Sequence, residues 1–165
     1  MRQLLPAITA AMICFGAYSA QSAEYSALAS MDTQVAKKAM EAYLITMSGE
    51  VTAGYNINGS KLTIKRAGDY VVTGAAQVGG VNGVTGDIYL WVRVNGKDVP
   101  DSNSIQTIPS AGFTAVLVAT TEMTFKDGDV LEFVYASTKP GLGLIASHPK
   151  GVPGVPSIIF SIFEL

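Results

Sequence analysis

The side chains best suited to chemistry are few in this sequence and lie apart. His148 is the only histidine among the 165 residues, and it stands in a loop rich in proline and glycine. A single imidazole gives little material for a histidine metal cluster or for a Ser-His-acid triad. We therefore interpret His148 as a solvated loop side chain, with a pH-sensitive contact at a subunit edge as the alternative.

Acidic side chains fall into two short groups. The first contains Asp98, Asp101 and Asn103, and the second contains Asp127 and Asp129. Both groups offer the oxygen ligands that calcium prefers, but neither has the spacing of a calcium-binding loop. Aspartate and asparagine bond their own backbone in turns, so turn formation is the simpler interpretation. Paired carboxylates for sugar cleavage stay open, because only the fold sets their separation. We predict no catalytic residue, no metal and no cofactor.

The N-terminus has the pattern of an export signal. Arg2 gives a positive start, an uncharged apolar run follows, and small residues precede position 23. We predict a signal peptide over residues 1–23, with an uncleaved anchor or a buried arm as the alternatives. A cleaved signal implies a secreted, extracellular or periplasmic protein that has no membrane contact after cleavage. Cys14, the only cysteine, lies inside this segment. The remaining chain would then have no disulfide, no cysteine nucleophile and no thiolate metal site.

The charge of the chain gives little sign of a nucleic-acid partner. Without the signal, ten Lys and Arg residues stand against thirteen Asp and Glu residues. This mild negative balance does not suit a phosphate backbone. Charged residues make up 15% of the sequence, whereas 48% are hydrophobic. A monomer with so few charges would expose much apolar surface, which favours self-association.

The periodicity of the chain predicts a β-rich domain behind a short leader. Residues 24–41 are expected to form an N-terminal arm or a short helix, because Val35, Ala39 and Tyr43 recur at helical spacing. Residues 42–165 show short strand signals separated by Gly, Pro, Asn and Asp, the pattern of a sandwich or jelly roll. Asn95-Gly96 is the sharpest turn signal, since it supplies the positive φ angles of a tight hairpin.

The last strand signal has no polar side. Side chains at alternate positions of a strand point to opposite faces. One face would carry Ile158, Phe160 and Ile162. The other face would carry Ile159, Ser161, Phe163 and Leu165. Two separate apolar surfaces must therefore cover this strand, and we predict that the second belongs to another copy of the chain.

A second strand carries aromatic side chains on one face. Tyr89, Trp91 and Arg93 alternate with an aliphatic set that suits a core. Because aromatic residues and arginine are enriched in interface cores, we predict that these three side chains lie in a subunit interface. A platform for stacking carbohydrate and an exposed contact surface are the alternatives.

The order of these signals resembles the jelly roll of the tumour necrosis factor and complement globular-head superfamily. It looks most similar to small virion-associated tail, fibre or decoration proteins of tailed bacteriophages. The matching segments are Gly68-Asp69-Tyr70, IYLWVRVNGKDVPDSN at 88–103, Gly128-Asp129 and LGLIASHPKGVPGVPSIIFSIF at 142–163. The resemblance implies a homotrimer whose inner sheet contains both the final strand and the strand of Trp91.

On this resemblance, the threefold axis would be packed by Tyr89, Trp91, Ile159, Phe163 and Leu165, with Ser161 facing a neighbour and Phe160 and Ile162 in the core. We expect a non-enzymatic structural or adhesive module, secreted or virion-borne. The loops Gly79–Gly86 and Pro140–Pro156 would meet a receptor, a glycan or a particle surface. A purely structural decoration or matrix protein and a hydrolase on a β-sandwich are the alternatives.

Overall fold

The computed structural model describes residues 25–51 and 53–165, so the predicted signal peptide over residues 1–23 lies outside the described residues. Within them the chain forms strands and one short 3-10 helix, Val81–Gly83. No helix in this part of the chain is long and apolar enough to span a membrane.

Two antiparallel sheets stack face to face. The six-stranded sheet contains β1 (Tyr25–Ser30), β2 (Gln34–Val35), β6 (Gly68–Gly80), β10 (Thr114–Phe125), β12 (Leu142–Leu144) and β13 (Ile158–Glu164). The seven-stranded sheet contains β3 (Tyr43–Leu44), β4 (Tyr55–Asn58), β5 (Lys61–Ile64), β7 (Gly86–Val94), β8 (Lys97–Asp98), β9 (Ser104–Ile108) and β11 (Val130–Ser137).

Strands distant in sequence are neighbours in both sheets. The first sheet runs β1-β13-β6-β12-β2, and β10 pairs with β6. The second runs β4-β5-β11-β7-β8, with β3 on β11 and β9 on β7. This arrangement is a jelly-roll sandwich, and the predicted all-β jelly roll is confirmed.

The core lies between the inner faces of the two sheets. Phe160 and Ile162 of β13 are fully buried there, as the alternation of the last strand predicted. The rings of Phe133 and Phe160 meet edge to face at 5.2 Å, which joins the sheets through an aromatic pair. Gly74 of β6 makes room for this pair, because a Cβ at that position would lie 2.4 Å from the Phe133 ring.

Residues 24–41 were expected to form an arm or a short helix, and the helix is wrong. Residues 25–30 form β1, which pairs with β13 along its whole length, and Val35 lies in β2. Ser26, Leu28 and Ser30 are buried while Ala27 and Ala29 are more exposed, so the period of this segment is two rather than 3.6. The division at residue 42 therefore does not separate the leader from the sandwich, since β1 is a full member of its sheet.

The Asn95-Gly96 turn is confirmed. It connects β7 to β8 with φ angles of 51° and 75°, the left-handed conformations that a tight hairpin requires. The Asn95 side chain also joins the hairpin to the next strand: its amide donates to Asp129 at 2.8 Å, and its carbonyl accepts from the Val130 N–H at 2.9 Å.

Candidate assembly face

The outer face of the six-stranded sheet is poor in charged side chains over its central rows. Strand register places β10, β6, β13 and β1 side by side, so that outward side chains form rows across four strands. We call this surface, over its three central rows, the assembly face. Strand spacings give it a footprint of about 300 Å², the size of the largest apolar patches on monomeric proteins.

The first row of the assembly face is entirely apolar. It consists of Val118, Ala75, Ile159 and Ala29. Val118 and Ile159 leave 47% and 52% of their surface in solvent, although neither has a polar group to hydrate. Ala75 lies between them and Ala29 lies beside Ile159, so the row has no bulky side chain that would prevent a second protein surface from approaching.

The second row carries hydroxyl groups without charge. Thr120, Thr73, Ser161 and Ala27 lie opposite one another. The hydroxyl oxygens of Thr73 and Thr120 are 3.2 Å apart and share a hydrogen bond across the strands. Because this bond satisfies part of their polar capacity internally, covering the row costs less than covering free hydroxyls would.

The third row marks the border of the uncharged region. Val71 lies between Phe163 and Glu122, and Phe163 is 46% exposed. Beyond this row, Leu165 is 68% exposed and lines a recess of about 320 Å³ together with Asp69 and Glu122. Apolar rows with charge at the margin are the usual composition of a protein interface core and rim.

The sequence-predicted interface residues divide between the two sheets. Ile159, Ser161, Phe163 and Leu165 belong to the assembly face or its edge. Tyr89, Trp91 and Arg93 lie on β7, on the outer face of the other sheet.

The expectation that both strands share one inner sheet is therefore wrong, and the two sets lie on different sheets of the sandwich. Alternation along a strand tells which side chains share a face, but not which sheet receives the strand.

Trp91 and Arg93 take part in a polar cluster that the sequence did not predict. The Asn95-Gly96 turn folds β8 back so that Asp98 lies opposite Arg93. Oδ1 of Asp98 accepts from Trp91 Nε1 at 2.7 Å and from Arg93 Nε at 2.8 Å. These two hydrogen bonds, Trp91 first, hold the pKa of Asp98 below its ordinary value, with a further contribution from the Arg93 charge. The carboxylate is therefore ionised at neutral pH.

The second acidic group forms a turn, as predicted. Oδ2 of Asp129 accepts from the Lys126 N–H at 2.7 Å, and Oδ1 accepts from Asn95. The same two bonds lower the pKa of Asp129. His148 is exposed in its loop. Among the described residues, no group of three or more His, Cys, Asp or Glu side chains is placed to hold a metal ion.

The two loops predicted to make contacts meet at one end of the sandwich. The Val81 N–H donates to the Gly141 carbonyl at 2.9 Å, which joins Gly79–Gly86 to the start of Pro140–Pro156. Farther along the second loop, Ser147 and Val155 pair through two backbone bonds of 3.0 and 2.8 Å. Both loops thus have internal or mutual support and form a connected surface.

Comparison with known proteins finds solved structures of the same fold but no sequence family that matches the chain. No family model matches the sequence, and no curated protein matches it. Among solved structures, murine APRIL at pH 5.0 superimposes with a TM-score of 0.59 at 10% identity, over 87% of this chain and 99% of that one. Murine APRIL at pH 8.0 gives 0.57 at 11% identity with the same coverage. The chain thus has the fold of a tumour necrosis factor-like jelly roll, and at this identity the likeness shows the fold alone.

Proposed function

We propose that the protein is a non-enzymatic binding module that assembles as a homotrimer through the assembly face. One observation carries the proposal: two complete rows across four strands, from Val118 to Ala29 and from Thr120 to Ala27, hold no charged side chain and are half-buried or exposed in the single chain. A second copy of the chain is an occupant of matching composition. The number three rests on the resemblance to the tumour necrosis factor superfamily.

The exposed side chains of β13 contribute apolar surface that assembly would bury. Full burial of an aliphatic or aromatic side chain stabilises by about 1.5–3 kcal/mol, so covering the exposed half of Ile159 or Phe163 contributes on the order of 1 kcal/mol each. A closed trimer repeats every such contact three times. Each contribution is small, and the threefold repetition of every contact makes their sum larger.

Assembly through this face directs the rest of the molecule outward. The connected loops Gly79–Gly86 and Pro140–Pro156 lie at the end of the sandwich, and the seven-stranded sheet faces away from the axis. Surface loops on a rigid scaffold commonly carry binding function. We therefore assign contact with a receptor, a glycan or a particle surface to these outward parts, in a secreted or virion-borne protein. A purely structural decoration or matrix role stays the alternative.

The test is the solution mass of the purified protein by multi-angle light scattering. Phe163→Glu adds a charge to the third row of the assembly face, whereas the matched control Ile105→Glu changes a residue of similar exposure on the opposite sheet. We expect three times the subunit mass for the unmodified protein and for Ile105→Glu, and monomers for Phe163→Glu, because an unpaired charge is costly to bury.

Two results would overturn the proposal. The first is a monomeric unmodified protein at tens of micromolar, which would leave the uncharged rows without an occupant of the same chain. The second is an oligomer that Ile105→Glu dissociates and Phe163→Glu does not, which would place the interface on the seven-stranded sheet.

A further inference from the structure

A small recess lies on the outer face of the seven-stranded sheet, opposite the assembly face. It has a volume of about 280 Å³ and is lined by Trp91, Asp98, Val99 and Asn103. Trp91 is half-buried on β7, while Asp98 and Asn103 are exposed. The recess therefore combines an aromatic wall with a carboxylate and a carboxamide at its rim.

The recess is held in shape by hydrogen bonds beneath it. Ser102 is buried, and its hydroxyl accepts from the Val92 N–H at 3.1 Å and donates to the Val99 carbonyl at 2.8 Å. The Val99 N–H in turn donates to the Val92 carbonyl at 3.0 Å. These bonds fix the segment after β8 against β7, so the lining residues need no rearrangement to receive a ligand.

The polar groups at the rim have unused bonding capacity. The contacts of Asp98 with Trp91 and Arg93 all use Oδ1, which leaves Oδ2 as an acceptor. The Asn103 side chain makes no hydrogen bond to any described residue. Arg93 is engaged by the same carboxylate at 2.8 Å, so it holds Asp98 in place and is not free to attract an anion.

We propose that this recess binds a single neutral pyranose ring of a glycan. A pyranose presents a surface of C–H groups that suits the indole of Trp91, and hydroxyl groups at its edge that suit the free oxygen of Asp98 and the amide of Asn103. The proposal names the partner of the proposed binding module, yet the site lies within one chain and does not require assembly.

The volume of the recess limits the number of sugar rings that it can hold, and its charge disfavours acidic sugars. Pockets for drug-sized molecules range from about 300 to 1,000 Å³, so this recess suits one ring rather than an extended oligosaccharide. An acidic sugar would bring its carboxylate beside the ionised Asp98, with Arg93 already paired. We therefore expect a neutral hexose to bind better than a uronic acid.

The protein contains one tryptophan, so indole fluorescence reports directly on this site. We would titrate the purified protein with methyl β-galactoside, methyl β-glucoside and methyl α-mannoside, and with methyl β-glucuronide as the acidic comparison. Saturation-transfer NMR on the same samples would identify the sugar protons that contact the protein. We expect a saturable change with a neutral glycoside, strongest transfer to protons on one face of the ring, and weaker binding of the glucuronide.

Substitutions of the lining residues test whether the sugar binds in the recess. Asp98→Ala should weaken it at least about tenfold, since hydrogen bonds to charged groups are strong, and Trp91→Ala should abolish saturation transfer. Asp127→Ala, an exposed aspartate outside the recess, should bind normally. The monomeric Phe163→Glu variant should bind as the unmodified protein does, so failure of the trimer and failure of the sugar site are told apart. Absence of saturable binding for every neutral glycoside up to 50 mM, or binding that Asp98→Ala and Trp91→Ala leave unchanged, would overturn the proposal.

Discussion

Replacing Gly74 by alanine should destabilise the protein by crowding the contact between its two sheets. Gly74 points into the core from the centre of β6, between Phe160 of β13 and Ala119 of β10. A Cβ there would lie 2.4, 2.8 and 2.9 Å from three carbons of the Phe133 ring. Contacts that short do not occur, so either the ring or the strand must move.

The cost follows from what Phe133 would lose. Overpacking a core by one carbon costs typically 1–3 kcal/mol. The ring of Phe133 also meets Phe160 edge to face at 5.2 Å, a contact that adds about 0.5–1.5 kcal/mol and that displacement would weaken. Against this, alanine restricts the unfolded chain and returns about 0.4–1 kcal/mol. We expect a net destabilisation of about 1–3 kcal/mol.

The assay is urea unfolding followed by circular dichroism, at one fixed protein concentration because oligomers gain stability with concentration. Gly68→Ala is the matched control: it lies on the same strand, and the nearest atom to its added Cβ would be a Glu164 carboxylate oxygen at 3.2 Å rather than a core ring. Gly68→Ala should change stability by less than about 1 kcal/mol. Equal unfolding midpoints for Gly74→Ala and Gly68→Ala would refute the close approach of the two sheets at this point.

Two further predictions concern the turn and the core. Asn95→Ala should destabilise the protein by about 1–3 kcal/mol in the same assay, since alanine resists a φ of 51° and cannot form hydrogen bonds to Val130 or Asp129. Asn95→Gly should cost less, because glycine adopts that φ without strain. A larger loss for Asn95→Gly than for Asn95→Ala would contradict the explanation. Burial, and then the neighbouring Tyr43, raise the pKa of Tyr135 to about 12. Because the pKa is raised in the folded state, the contribution of Tyr135 to stability is intact below pH 10 and is lost as the pH rises toward 12. The free energy of unfolding should therefore fall by about 1.4 kcal/mol between pH 9 and pH 11. Tyr135→Phe should lose less over that interval, and an equal loss in both would show that Tyr135 is not the group responsible.

The fold was predictable from local patterns because most of its strands alternate strongly. β7 alternates buried and half-buried side chains along its length and ends in a turn that only two positive φ angles satisfy. The N-terminal strand was missed for a physical reason: β1 is short and rich in alanine and serine, and it is stabilised by pairing with β13 about 130 residues away. A pairing between residues so far apart in the sequence produces no local pattern from which the strand could be predicted.

Only part of the candidate site could be predicted from the sequence. The doubly apolar β13 identified Ile159 and Phe163 correctly as exposed on one face. Trp91 was assigned to the same surface, because aromatic residues suit an interface and nothing in the spacing reveals which sheet a strand joins. The bond between Trp91 and Asp98 joins residues seven apart through a hairpin, yet turn chemistry explained Asp98 adequately without it. Tertiary placement, rather than residue type, decides both points.

The central claim is that the outer face of the six-stranded sheet is covered by a neighbouring subunit, and two isoleucines offer the most direct test. Ile159 on that face and Ile105 on the opposite sheet are 52% and 56% exposed in the single chain. Isoleucine methyl groups labelled with carbon-13 would be observed by NMR while a soluble paramagnetic agent is added to the assembled protein. The claim predicts strong relaxation of the Ile105 methyl and protection of the Ile159 methyl. Equal relaxation of the two, or protection of Ile105 alone, would contradict it.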